Sequence, residues 1–178
     1  MNHTERQYCF VEFDVQDEPT LERLSKVTAE FQRQKEGDAT AEDAHWLPYF
    51  ESSDRTSFAW LSEEEMKRWN EFWFSTPLPH RHSPEMPTPQ WSFGSMVDAI
   101  LVGDYDIIGI RSTAPNRARL EFDPHGYPYG GTGSLRALIR AFGHKITGFD
   151  DGTGFNSGDP QQPRWTPDMK PPWGCEAR

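Results

Sequence analysis

Two cysteines in 178 residues, Cys9 and Cys175, are too few to staple a small fold, which argues against a disulfide-dense secreted domain. Basic charge is also short. Lys and Arg number 18 against 28 Asp and Glu, a formal charge of −10, so the chain as a whole would repel a phosphate backbone. No stretch approaches the roughly 18 consecutive apolar residues of a membrane span, and Met1–Arg6 lacks a basic region leading into an apolar one. The sequence therefore points to a cytoplasmic protein that partners neither membrane nor nucleic acid.

What is present is aromatic. Apolar residues make up only 35%, yet 7 Trp and 12 Phe lift the aromatic share to 13%, so large rings must supply much of the buried area. The length suits one domain, taken here over residues 1–155, followed by a proline-rich extended tail over 156–178 that carries Trp165 and Trp173 and offers a clasp for a homodimer.

Periodicity places the elements. Tyr8–Val15 alternates, with Cys9, Val11, Phe13 and Val15 on one face and Tyr8, Phe10, Glu12 and Asp14 on the other, as a strand does. Pro19 opens a helix over 19–35 whose Leu21, Leu24, Val27 and Phe31 recur at helical spacing. A long insertion over 37–90 follows. Ser62 and Glu65 form a capping box for a helix over 63–74, with Leu61 and Met66 spaced as a hydrophobic staple and Met66, Trp69, Phe72 and Trp73 as its inward stripe. Five prolines between 77 and 89 make a strap rather than a helix. Beyond it come a short helix from Phe93 to Leu101, a hairpin over 105–112 and 117–122, a helix after Ser134 ending at Gly143, and a strand over 144–149. With the insertion set aside the order is βαββαβ. That predicts an α+β fold: an antiparallel sheet with helices on one face in ferredoxin-like order.

The best candidate site is the glycine-rich loop 126–134. Glycines reach positive φ freely, so backbone N–H groups can converge as an anion nest at the start of the following helix. Tyr127 and Tyr129 would wall an attached ring, Gly130, Gly131, Thr132, Gly133 and Ser134 would cradle a phosphate or carboxylate, and Arg136 and Arg140 would neutralise it. The loop has no Walker lysine, and Arg136 stands where a dinucleotide fingerprint needs its last glycine. The plainer reading is a tight loop and helix cap. Proton transfer would fall to His125, His144 or Asp123, although His144 after a helix C-terminus is expected to cap it in protonated form. His80 and His82 have the spacing of a metal pair, but His125, His144, Asp123 or the Asp150-Asp151 pair would have to converge on them to complete a site, and no cofactor is implied.

Two function classes follow. The first is a small acidic binding or inhibitor module that recognises a protein, a basic one being the partner its charge would steer in. The second is a small enzyme or ligand-binding protein for a phosphorylated or carboxylated compound at loop 126–134.

Overall fold

The alternation in Cys9–Asp14 buries Val11 and Phe13 completely on one side, and this strand, β1, lies in the middle of the sheet. The structure is a computed structural model that describes residues 7–171 and 173. The readings made for Met1–Arg6 and Cys175 lie outside those residues. The chain divides into two compact units, one built from residues up to Ser57 together with Phe93–Asp159, the other from Phe58–Ser92 together with residues from Pro160 on.

In the first unit α1 (Glu18–Lys35) follows β1, started by Asp17, whose carboxylate accepts the Thr20 N–H at 2.8 Å. Two single-turn helices, α2 (Asp43–Trp46) and α3 (Ser52–Arg55), lie in a stretch where the sequence shows no period. They are held by long-range partners. Glu30, on α1, accepts from His45 at 2.8 Å and from Gln34 at 2.9 Å, and Trp46 stacks on Phe31 at 4.0 Å.

After the second unit's first segment the chain returns as α5 (Phe93–Val102), the hairpin β2 (Tyr105–Ala114) and β3 (Arg117–Pro124), α6 (Gly133–Ala141), β4 (Lys145–Asp150) and β5 (Phe155–Ser157). All five strands pair antiparallel in the order β2-β3-β1-β4-β5, and with the helices they make an α+β fold. α1 packs on β2, and α6 on β4 and β1. The buried layer joins Leu24, Val27 and Phe31 to Leu120, Phe122, Leu135 and Leu138. The opposite face of the sheet is a charge ladder. Arg119 donates to Glu12 at 2.9 Å and lies 3.8 Å over the Phe10 ring, while Arg111 pairs with Glu121.

The segment beyond 155 begins in the sheet: β5 pairs with β4, and Gly158 donates its N–H to the Thr147 carbonyl at 2.8 Å.

The second unit is organised by α4 (Glu63–Ser75). Its capping box forms as the sequence predicts, Ser62 accepting from the Glu65 N–H and Glu65 from the Ser62 N–H. Phe72, Met86 and Trp165 are buried together, with Leu61, Trp69, Trp73 and Trp173 packed around them. Met66 departs from the predicted inward stripe and is 43% exposed, because the small core closes over the Trp69, Phe72 and Trp73 side of the helix. The proline strap contains one 3-10 turn, Leu78–His80, and its Thr88 exchanges backbone hydrogen bonds with Pro163 and Trp165.

Candidate functional site

Antiparallel pairing brings the start of β1, the end of β3, the start of β2 and the end of β4 to one end of the sheet: Cys9 lies opposite Phe122, Phe10 opposite Asp150 and Tyr105 opposite Pro124. The glycine-rich loop closes that end. Its Tyr129 carbonyl accepts the Asp104 N–H, and the His125 N–H donates to the Asp104 carbonyl, each at 3.0 Å.

The two tyrosines do different work. Tyr129 is buried against Tyr105 and Phe122, whereas Tyr127, with its ring nearly perpendicular to that of Tyr129, is 61% exposed. Both hydroxyls donate to the Asp151 carbonyl, at 2.6 Å from Tyr127 and 3.2 Å from Tyr129. Burial, with Asp151 next, pushes the Tyr129 phenol well up, and burial pushes that of Tyr105 up to about 12, so neither is an acid at neutral pH. The peptide between Tyr127 and Pro128 is cis. Gly152 in the facing loop has φ +93°, and a Cβ there would fall on the Tyr127 hydroxyl.

Aspartates dominate this end. Asp150 and Asp151 each accept a backbone N–H two residues on, from Gly152 at 2.8 Å and Thr153 at 3.0 Å, an Asx geometry that fixes the loop. Asp106 lies across the hairpin from Asp123. The Cys9 thiol is pushed above its ordinary range, by burial first and then by Asp150, which keeps it protonated and unreactive.

His125 sits between two carboxylates. Nδ1 is 3.1 Å from Asp104 Oδ1 and Nε2 is 3.0 Å from Asp106 Oδ2, so both ring nitrogens donate only when the imidazole is protonated. The hydrogen bond to Asp106, followed by that to Asp104, raises its pKa above 6.5.

The arginines expected to neutralise a ligand are on a carboxylate of the chain itself. Arg136 donates to Asp159 at 3.0 Å; Arg140 donates to the same carboxylate at 2.7 and 3.1 Å. The Arg136 guanidinium also lies 4.9 Å over the Phe149 ring. Gly130 and Gly131 take the positive φ values expected of them, while Thr132 and Ser134 are buried, and Thr132 makes no side-chain cap to α6.

His144 corrects the sequence reading. It is 3% exposed, stacks on Phe13 at 5.1 Å and accepts the Gln16 N–H at Nδ1, so burial lowers its pKa and it is held neutral rather than capping α6 as a cation. It lies at the opposite end of the sheet from His125. His80 stacks on Trp173 and His82 meets the edge of Trp73, and no group of three potential ligands that could hold a metal occurs among the described residues.

The sequence reading missed Asp104, Asp106 and Asp159. The first two flank Tyr105 as an Asp-Tyr-Asp triplet at the start of a strand, a signal that gains meaning only once folding brings the His125 ring between the two carboxylates. What fold and site define is an α+β protein with a five-stranded antiparallel sheet and an aspartate-rich strand end that also carries the exposed Tyr127. Compared with family models, curated proteins and solved structures, the chain matches none. No helix among the described residues is long and apolar enough to cross a membrane.

Proposed function

We propose that this protein is a binding module that takes a cationic segment of a partner protein on the aspartate-rich end of its sheet. The observation that carries the reading is that strand pairing brings Asp104, Asp106, Asp123, Asp150 and Asp151 to one end of the sheet, where the exposed Tyr127 reaches the Asp151 carbonyl. A guanidinium or ammonium stacks on a phenol face while pairing with carboxylates, and each contact strengthens the other.

Charge distribution supports it. Residues 1–57 and 93–159 hold 21 of the 28 acidic residues but 12 of the 18 basic ones, so almost all the surplus negative charge belongs to the sheet unit. Many of the unit's cations are already engaged: Arg23 holds Asp54, Arg33 Glu30, Arg117 Asp14 and Arg119 Glu12. Such a field speeds the approach of a basic partner. The anionic-ligand reading draws less support, because Arg136 and Arg140 both hold Asp159 and the loop faces Asp151.

Within the same reading, β4, β1, β3 and β2 with α1 and α6 make a ferredoxin-like frame to which β5 is added at the edge, and the compartment is cytoplasmic. The support is the strand order and the low cysteine count.

Titration calorimetry with an acetylated, amidated arginine-rich peptide tests the proposal. The peptide is expected to bind at low salt and weaken as salt rises. The double variant Asp150→Asn, Asp151→Asn keeps the Asx acceptors but removes two charges, and should weaken binding by about tenfold. Unchanged affinity in that variant, or equal binding of an acidic peptide, overturns the reading.

A further inference from the structure

We propose that His125 is a built-in competitor for the cationic partner: as an imidazolium it occupies Asp104 and Asp106, and on losing its proton it frees one of these carboxylates for the incoming positive charge. The inference rests on the binding surface proposed above and names the regulation of that surface.

The geometry is that of a seated cation. Both ring nitrogens lie within 3.1 Å of a carboxylate oxygen, one from Asp104 and one from Asp106, two residues apart on either side of the buried Tyr105. A neutral imidazole donates through one nitrogen only, so it satisfies one of the two aspartates and leaves its other lone pair facing the second. The bridge therefore exists in full only while the ring is charged. The backbone around it is fixed independently: the His125 and Asp104 N–H groups donate to the Asp104 and Tyr129 carbonyls. Loss of the proton changes the side-chain pairing without unmaking the loop.

The other charged and titratable groups facing this position are few. From α1, Lys35 feels both carboxylates, but its ammonium is tied to the carbonyls of Ile100, Leu101 and Gly103 at 2.9, 3.2 and 2.7 Å and lies over the Tyr105 ring. From β3, Asp123 is the cross-strand neighbour of Asp106; within the loop, the Tyr127 phenol is pushed up and stays neutral. The imidazolium is thus the group at this end whose charge changes near neutrality. It stands where a partner's arginine or lysine would sit, and the His125, Asp104 and Asp106 side chains are all exposed, so exchange needs no rearrangement of the fold.

The experiment measures affinity for the same arginine-rich peptide, which carries no group titrating between pH 5.5 and 8.5, as a function of pH. Binding by the native protein should tighten about three- to fivefold as pH rises through the His125 titration, the size of one exposed ion-pair rearrangement. His125→Gln should bind at the tight level across the range, and His125→Lys at the weak level across the range. NMR of the His125 ring supplies a second readout: its midpoint should lie above 6.5 and fall in Asp106→Asn. A midpoint that does not move in that variant overturns the bridge. A raised midpoint with an affinity slope that is flat, or that survives in His125→Gln, overturns the competition while leaving the surface reading standing. No binding at any pH in any variant overturns the surface reading, and the competition with it.

Discussion

The two ends of the sheet each carry a histidine, and they treat it in opposite ways. At the end where β1 finishes and β4 begins, His144 is sealed against Phe13 and accepts the Gln16 N–H, and burial holds it neutral. At the end where β1 begins and β4 finishes, His125 is exposed between two carboxylates that favour its charged form. One residue type thus serves packing at one end and charge at the other, and the surroundings decide which.

The sharpest way to break this comparison is to truncate both rings. His144→Ala removes a stacked aromatic and leaves the Gln16 N–H without its acceptor, so it should cost about 2–4 kcal/mol in urea denaturation, whereas His125→Ala should leave the urea midpoint almost where it was. Equal losses at the two sites would sink the contrast.

A second, smaller effect tests the open end's own architecture. Gly152→Ala imposes a Cβ at φ +93° and on the Tyr127 hydroxyl, and should cost about 1–2 kcal/mol while displacing Tyr127, seen as a change in tyrosine fluorescence and NMR shifts.

The smallest effects are the pH slopes, which carry opposite signs. His144 has a folded-state pKa below 6.5, so the unfolded chain takes up the proton first. Its contribution is complete above 6.5 and is lost as pH falls from there through the folded value. His125 has a folded-state pKa above 6.5, so its contribution is complete below 6.5 and is lost as pH rises through the folded value. Urea midpoints from pH 5 to 8 should show the acid-side decline flattened in His144→Asn and the alkaline-side decline flattened in His125→Gln. If the two variants give superimposable profiles, the assignment fails.

Much of the frame was legible because it rests on local periodicity. β1, α1, the Ser62–Glu65 box of α4 and the amphipathic α6 all follow from spacing within one turn or one pleat. α2 and α3 were not, since each is a single turn kept by partners far along the chain, such as Glu30 on His45 and Arg23 on Asp54. β5 is three residues paired through β4 alone, too short for alternation to register.

The site was half visible for a related reason. The glycines and tyrosines of the loop announce themselves, but the histidine's partners depend on register. Counting outward from the turn that pairs Ala114 with Arg117, an unbroken hairpin would set Asp106 opposite His125. Two irregularities, at Ile107/Gly109 and Ser112/Ala114, bring Asp106 opposite Asp123 instead, and Asp104 reaches the His125 backbone. Asp159 was unreadable because nothing local ties it to Arg136 and Arg140, 23 and 19 residues earlier. The sign of His144 was misjudged because a helix C-terminus favours a cation only where water reaches it.

The burial of Trp165 beside Phe72 and Met86 has a consequence in time rather than in space. The tryptophan unit is discontinuous in sequence: residues 58–92 leave the ribosome with their aromatic face incomplete, and the indole that closes it follows only after the whole of 93–159 has been made. At roughly 5–20 residues per second that wait lasts several seconds, during which Trp69, Phe72 and Trp73 stay open to other chains. Synthesis speed across 93–159 therefore sets how long the nascent chain is exposed to aggregation and how much it relies on chaperones.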